Sequence, residues 1–152
     1  MFVSSAIIYP RNVDSLDHSK LYPFIVDSIK ITGNEITEEF IILRELTFNV
    51  GDTLTQSLSF YNRERVYSLG IFNQVHFNPS RIDSINILNI AVEESWYIYP
   101  IPYLELKGDN SDRLSYGVYL RLKNFRGRNE DLTALIAFGY DPSFYLSYYN
   151  PN

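Results

Sequence analysis

The chain carries two different patterns of apolar and polar residues, and the change comes near residue 96. Between residues 24 and 95, short stretches that alternate with a period of two flank two stretches whose apolar residues recur at helical spacing. From residue 96 onward, the period of two is almost uninterrupted. We therefore predict a mixed α+β unit followed by an antiparallel β-meander.

The first unit is predicted to begin with a half-buried strand over residues 25–32, whose isoleucines fall on one face. Gly33 and Asn34 end this strand, because both residue types tolerate positive φ. Thr37 then fits the N-cap of a helix, and the two glutamates after it favour the positive end of the helix dipole. This helix is expected to end near Thr47.

A second helix is predicted to begin around residues 53–55, after a turn at Gly51. Gly70 suits the left-handed position that terminates many helices. The buried stripe of this helix is predicted to consist of Leu58, Tyr61, Val66 and Leu69. The residues expected to be solvated are Asn62, Arg63 and Glu64.

Two further strands complete the first unit. One covers residues 71–78 and is closed by Pro79, and the other covers residues 85–92. Their predicted buried residues are Ile71, Val75 and Phe77 in the first strand and Leu88, Ile90 and Val92 in the second. The order β-α-α-β-β predicts a small α+β domain, in which two helices cover a three-stranded sheet.

The second unit repeats strands of about ten residues that are apolar on one face and polar or small on the other, with aromatic residues near the strand ends. One face collects Leu114, Tyr116, Val118, Leu120 and Leu122, followed after a turn by Leu132, Ala134, Ile136, Phe138 and Tyr140. This pattern is typical of outer-membrane barrels. A soluble amphipathic meander shows the same alternation, so the pattern alone leaves both interpretations open.

Composition excludes several classes of protein. The formal net charge of -5 gives no support for nucleic-acid binding, which needs a clustered basic face. The densest basic group is expected to be a solvated turn and consists of Arg121, Lys123, Arg126 and Arg128. Cysteine is absent, which excludes disulfides and thiolate metal sites. No apolar run reaches the ~18 residues of a membrane-spanning helix.

The sequence also lacks the familiar motifs of catalysis and nucleotide binding, such as a nucleophile elbow, a zinc-binding His-Glu-x-x-His or a P-loop. His18 and His76 have no third ligand in view, and each is expected to be solvated. The glutamate pairs at 38–39 and 93–94 open a helix and end a strand, so structural roles explain both. We therefore expect no enzyme activity, no cofactor and no metal.

The joint order of several short motifs resembles the POTRA (polypeptide-transport-associated) domain of BamA/TamA-type outer-membrane assembly proteins, the surface-antigen family. The motifs are Ile31-Thr-Gly-Asn34, the Arg44-Glu45-Leu46 helix end, Val50-Gly-Asp52, Leu69-Gly-Ile-Phe72 with Val75, and Val92-Glu-Glu94. Their structural residues are Gly33, Asn34, Gly51, Gly70 and Phe72. Four later segments look like the opening strands of the same family's barrel: Pro102–Gly108, Gly117–Lys123, the turn Asn124–Arg128 and Gly139–Pro151.

The resemblance implies three regions. Residues 1–23 would be a leader, expected to be disordered, residues 24–95 a POTRA domain, and residues 96–152 the N-terminal strands of an outer-membrane β-barrel. The family's barrel has about sixteen strands, whereas about four fit here. We therefore expect a truncated chain with an incomplete barrel, and a short form that completes another barrel is the alternative.

The resemblance also implies assembly or insertion of outer-membrane β-barrel proteins, at the outer membrane with the POTRA domain in the periplasm. The implied partners are unfolded outer-membrane proteins, proteins of an assembly complex and outer-membrane lipid. The expected surface for clients or partners is an edge strand made of Ile71, Phe72, Asn73, Gln74, Val75, His76 and Phe77. The expected gate is the first barrel strand, with Ile101, Tyr103, Leu104, Glu105 and Leu106. A two-partner-secretion transporter and a soluble periplasmic protein-binding module stay open as alternatives.

Overall fold

The computed structural model describes residues 21–108 and 111–151. Most of the predicted leader, including His18, therefore lies outside the described residues. The helices and strands of the first unit are β1 (Phe24–Ile25), β2 (Ser28–Thr32), α1 (Glu39–Leu43), β3 (Thr53–Leu54), α2 (Gln56–Tyr67), β4 (Phe72–Ile82) and β5 (Ile85–Glu94). The strands of the second unit are β6 (Ile98–Leu106), β7 (Leu114–Phe125), β8 (Glu130–Gly139) and β9 (Ser143–Tyr149).

The predicted fold class is confirmed. In the first unit, β2, β5 and β4 form a three-stranded sheet in that order, with β2 parallel and β4 antiparallel to β5. In the second unit, β6 to β9 form a four-stranded antiparallel meander. Within the described residues, no helix has the length and apolarity needed to cross a membrane.

One buried cluster holds the first unit together. It joins the inner face of the sheet to the two helices, as expected for a two-layer α+β domain. Its fully buried members are Val26, Ile41, Ile42, Leu54, Val66, Leu88 and Ile90. The prediction that Leu88, Ile90 and Val92 share the buried face of the last strand is therefore confirmed.

The start of the chain differs from the prediction. The expected single strand over residues 25–32 is interrupted, because β1 pairs with β3 while β2 pairs with β5. Val26 lies between them and is fully buried, whereas Ile25, which was expected on the inner face, is half exposed. The backbone of Val26 is held by hydrogen bonds with Gly51 and Asp52, so the small β1–β3 ladder is a tertiary feature.

The first helix is shorter than predicted, and Thr37 is not its N-cap. The helix covers Glu39–Leu43, and Glu38 stands at the N-cap without a side-chain capping bond. Thr37 is buried, and its hydroxyl accepts a hydrogen bond from Asn124 in the second unit. The predicted N-cap residue Thr37 therefore forms a hydrogen bond, but its partner lies in the second unit and not in α1.

In the second helix, the predicted burial is wrong at two neighbouring positions. Tyr61 was expected in the core and is exposed, whereas Asn62 was expected in solvent and is 0% exposed. The amide of Asn62 accepts from the backbone N–H of Thr47 at 2.7 Å and donates to the carbonyl of Leu58 at 2.8 Å. A buried polar group is tolerated where it is hydrogen-bonded, and here it ties the loop after α1 to α2.

Strand β4 is longer than predicted, because Pro79 does not close it. The strand continues to Ile82, and Asp83 and Ser84 form the tight turn with positive φ. An edge strand can contain proline, since the missing N–H has no partner to lose on the open side. Near its start, a register shift between Phe72 and Gln74 lets Phe72 and Val75, which are three positions apart, both be buried.

The four-stranded sheet of the second unit has one continuous apolar face, as the alternation predicts. Paired residues form rows on this face: Leu104, Tyr116 and Phe138; Val118, Ile136 and Phe144; Leu120, Ala134 and Leu146; Leu122, Leu132 and Tyr148. Most of these side chains are exposed. The side chains on the opposite face are smaller and more polar, with rows such as Arg121, Thr133 and Ser147.

Replacing Asn62 by alanine is expected to lower the free energy of unfolding of the first unit by about 1–3 kcal/mol, because the N–H of Thr47 would lose its buried acceptor. Chemical denaturation monitored by circular dichroism would measure the change. Asn73→Ala is the matched control, since Asn73 is exposed, its bonds to Glu93 and Glu94 are long and its 2.9 Å bond from the Ser95 hydroxyl is solvent-exposed; it should cost less than about 0.5 kcal/mol. Equal losses in the two variants would contradict the structural role of Asn62.

Candidate functional site

The first candidate surface is the free edge of the three-stranded sheet. Strand β4 pairs with β5 on one side, and within the described residues no strand pairs with its other side. The opposite edge is β2, but that strand has 5 residues, whereas β4 has 11. An open edge exposes unpaired N–H and C=O groups that can take up another strand. The longer β4 edge offers more of them.

The side chains predicted for this surface divide between the core and solvent. Ile71 precedes the strand and is buried with Phe72 and Val75, and Phe77 packs half-buried against the same core. Gln74 and His76 are exposed on the other face, where their side chains share a hydrogen bond of 3.0 Å. Most apolar side chains of β4 are thus already used by the domain. A partner strand would meet mainly the backbone of β4.

Pro79 indicates which backbone groups of β4 face outward. In an antiparallel strand, the N–H and C=O of one residue point to one side and those of the next residue to the other. Proline in a strand is found where no ladder bond is required from its nitrogen. The backbone nitrogen of Pro79 therefore faces the open side of β4. By the same alternation, the N–H groups of Phe77 and Val75 face that side too.

A shallow groove lies beside this edge, between α2 and β4. It has a volume of about 320 Å³ and is lined by Arg63, Glu64, Tyr67, Gln74, Val75 and His76. The ring of Tyr67 is half exposed in it, next to charged residues of both signs. The groove could receive an apolar or aromatic side chain from a strand lying along β4.

The motif residues hold the turns that place this edge. Gly33 has φ +85°, and a Cβ there would lie 1.9 Å from the carbonyl oxygen of Val92, so only glycine allows β2 to end against β5. Asn34 donates from its amide to the carbonyl of Thr37 at 3.0 Å. Gly51 and Gly70 also have positive φ, and Phe72 is buried in the core. These five residues are structural in the first unit.

The second candidate surface is the outer edge of β6. This strand pairs with β7 and, within the described residues, with no other strand. It covers Ile98–Leu106 and so starts three residues earlier than the predicted Ile101. Leu104 and Leu106 lie on the apolar face and are exposed, whereas Ile101, Tyr103 and Glu105 lie on the opposite face. The hydroxyl of Tyr103 donates to the carboxylate of Glu105.

The two open edges begin at the same junction between the units. The N–H of Ser95, directly after β5, donates to the carbonyl of Ile71 at 2.9 Å, which holds the start of β4 beside the end of β5. The hydroxyl of Ser95 bonds Asn73 at 2.9 Å. Two residues further, the carbonyl of Tyr97 accepts from the N–H of Lys123 at 2.8 Å, where β6 begins. The sequence did not reveal this proximity, because it depends on how the units pack.

In the basic cluster expected to be a solvated turn, the three arginines are exposed and each forms an ion pair. Arg121 bonds Asp131, Arg126 bonds Glu130 at 2.9 Å and Arg128 bonds Glu38 at 2.7 Å. The hydrogen bonds to Glu130 and the negative charge of its carboxylate raise the pKa of Arg126 above its ordinary value. Within the described residues, no group of three or more potential ligands could hold a metal ion.

Comparison with known proteins places this geometry in a family. Residues 24–95 match the POTRA family model, described as a surface antigen variable number repeat. The outer membrane protein assembly factor BamA of Neorickettsia risticii (strain Illinois) is 33% identical over 70 residues, which are 45% of this chain and 10% of that protein. Residues 24–95 are a POTRA domain, and the chain is similar to BamA.

Solved structures extend the likeness beyond the POTRA domain. BamA from Haemophilus ducreyi lacking POTRA domains 1-3 matches with a TM-score of 0.62 at 20% identity, over 82% of this chain and 24% of that chain. CdiB from Acinetobacter baumannii matches with a TM-score of 0.50 at 14% identity, over 83% of this chain and 25% of that chain. At these identities the likeness concerns the fold. It includes the four-stranded sheet, and this chain spans a quarter or less of each relative.

Amide hydrogen exchange should separate the two strands of the POTRA hairpin. The amides of residues 87–91 in β5 are flanked by strands on both sides and should all be protected. In β4, alternate amides that include Val75 and Phe77 should exchange quickly, because their N–H groups face the open side. Exchange followed by NMR on the full chain would measure this. Uniform protection along β4 would show that something covers the edge.

Proposed function

We propose that this chain takes part in the assembly of outer-membrane β-barrel proteins. The POTRA domain binds a segment of an unfolded outer-membrane protein by adding it as a strand to β4. The four-stranded sheet lies in the outer membrane as the N-terminal strands of a barrel, and the POTRA domain lies in the periplasm. The observation that carries the proposal is that two open strand edges, β4 and β6, begin at one junction.

Strand addition suits a partner whose sequence varies. The exposed backbone of β4 offers hydrogen bonds that any extended chain can satisfy, whatever its side chains. Each such bond contributes about 0.5–1.5 kcal/mol net, so a short client segment would bind weakly and leave again. The groove beside β4 adds preference for apolar or aromatic side chains at alternate positions. These are the properties that transient handling of many clients requires.

The name of one relative supports this function. The Neorickettsia risticii protein is an outer membrane protein assembly factor, and the matching stretch accounts for 45% of the present chain. Proteins of an assembly complex would be further partners, beside the unfolded clients.

The apolar face of the meander supports a location in lipid. Between the rows of Ile98 and Leu106, eight residue steps span about 26 Å along the strand, close to the ~25 Å apolar band of outer-membrane barrels. An exposed apolar face of this extent is unusual for the surface of a soluble monomer. Outer-membrane lipid is therefore the proposed environment of this face, and the open edge of β6 would lie within or beside it.

Cysteine scanning across one row of the POTRA sheet tests the client surface. Lys30, Asn89 and Asn78 are paired in register on β2, β5 and β4. The natural chain has no cysteine, so single variants Lys30→Cys, Asn89→Cys and Asn78→Cys report one position each. A thiol-bearing unfolded outer-membrane protein is expected to form a disulfide with Asn78→Cys most efficiently, because a strand added to β4 would lie beside it.

The same experiment has informative contrary outcomes. Asn89→Cys lies in the central strand and is the matched control, so it should cross-link little. Preferential cross-linking of Lys30→Cys would move the client surface to β2 and contradict the choice of β4. If Asn78→Cys cross-links to one passenger protein and to no unrelated barrel proteins, the function would be two-partner secretion and not barrel assembly.

Arginine substitutions on the two faces of β8 test the location in lipid. Ile136→Arg places a charge on the apolar face, whereas Leu135→Arg places it on the opposite face. A lipid-facing arginine near the bilayer midplane costs about 2–4 kcal/mol. Ile136→Arg should therefore reduce the share of protein that remains in alkaline-washed membranes, and Leu135→Arg should reduce it less. Release of the parent protein by the alkaline wash would favour the soluble periplasmic module.

A further inference from the structure

We infer that the turn formed by residues 124–129, the docking turn, is a positioning element that holds the POTRA domain at one angle to the four-stranded sheet. It thereby directs the β4 edge relative to the β6 edge. The functional part of this inference rests on the proposed role of these edges in assembly. The docking itself is independent of that role.

Three hydrogen bonds connect the docking turn to the POTRA domain at the start of α1. The amide of Asn124 donates to the hydroxyl of Thr37 at 2.8 Å, and these residues are 6% and 2% exposed. The N–H of Glu38 donates to the carbonyl of Gly127 at 2.9 Å. Arg128 donates from Nε to the carboxylate of Glu38 at 2.7 Å. The first two bonds carry most of the specificity, because the ion pair is exposed and such pairs contribute little.

The POTRA residues of this contact are held in place by hydrogen bonds within their own domain. The carboxylate of Glu94, at the end of β5, accepts from the N–H of Thr37 at 2.6 Å and from the N–H of Ile36 at 3.1 Å. Asn34 fixes the carbonyl of Thr37. The residue that receives Asn124 is therefore anchored to the central strand of the POTRA sheet. Movement of the turn would be transmitted to that sheet.

The docking turn is also rigid in itself. Asn124, Arg126, Gly127 and Asn129 all have positive φ, between 52° and 72°. The side-chain oxygen of Asn124 accepts from the N–H of Asn129 at 2.8 Å, and the backbone carbonyl of Asn124 accepts from the N–H of Gly127 at 2.9 Å. Left-handed conformations at non-glycine residues persist where the surroundings determine them. Here the surroundings include the POTRA backbone.

At Gly127 the backbones of the two units approach each other closely. A Cβ at this position would lie 2.0 Å from the carbonyl oxygen of Ile36 and 3.3 Å from the N–H nitrogen of Glu38. Gly70 has almost the same φ, +68° against +72°, but a Cβ there meets nothing within 4 Å. The two glycines therefore separate backbone strain, which a substitution at either would cause, from a clash with the other unit, which a Cβ would cause only at Gly127.

Distance measurement by electron paramagnetic resonance tests the docking. Spin labels on Arg81→Cys in the POTRA hairpin and Ser143→Cys at the start of β9 would report the angle between the units in the full chain, without background from native cysteine. Gly127→Ala and Thr37→Val should each lose the single narrow distance peak of the parent protein. Gly70→Ala and Thr32→Val are the matched controls and should retain it, since Thr32 bonds Asn89 within the POTRA sheet.

The outcomes separate docking, positioning and the proposed function. A parent-like peak in both Gly127→Ala and Thr37→Val would overturn the docking. If the docking turn positions the POTRA domain, the two variants should lose the peak but keep their cross-linking at Asn78→Cys. Assembly of barrel proteins in reconstituted membranes should then fall severalfold. A lost peak with undiminished assembly would overturn the positioning role. Absence of cross-linking in the parent background would count against the proposed client surface while the distances still decide the docking.

Discussion

The double-sided pairing of β5 is the constraint on which the rest of the structure depends. Its parallel pairing with β2 and antiparallel pairing with β4 place Leu88 and Ile90 under the helices and leave β4 at the edge. A three-stranded sheet with one central strand must have two open edges. Because β2 is short, the long edge belongs to β4, and the proposed binding surface is based on this arrangement.

The end of β5 also organises the junction. The carboxylate of Glu94 accepts hydrogen bonds from the backbone N–H groups of Ile36 and Thr37, and the N–H of Ser95 donates to the carbonyl of Ile71. Thr37 can then receive Asn124 from the second unit. Two units with different surfaces, one polar and one apolar, are therefore joined by buried hydrogen bonds and a close backbone approach at Gly127. An apolar interface would not specify their relative direction as narrowly, because hydrophobic contact is non-directional.

Most predictions that rest on strand alternation or on a glycine turn agree with the structure, and the exceptions among the periodic patterns are Ile25 in the first strand and Tyr61 in the second helix. The alternation in residues 85–92 and 114–140 assigned the strand faces correctly, and Gly33 occupies a position where only glycine fits. Predictions that rest on a partner far along the chain did not. Asn62 is buried because Thr47 supplies its hydrogen bond, and the hydroxyl of Thr37 accepts a hydrogen bond from Asn124 instead of capping α1. Pro79 was read as a strand end, since its edge position was unknown.

By itself, the sequence determined the order of elements, the two apolar patterns and the family, because strand and helix periods and the turn residues act within a few positions of each other. The tertiary structure alone decided that β4 and β6 start at one junction and that a turn at residues 124–129 meets residues 36–38. Those contacts join groups that are far apart in the chain. Their geometry comes from packing, which no local pattern records.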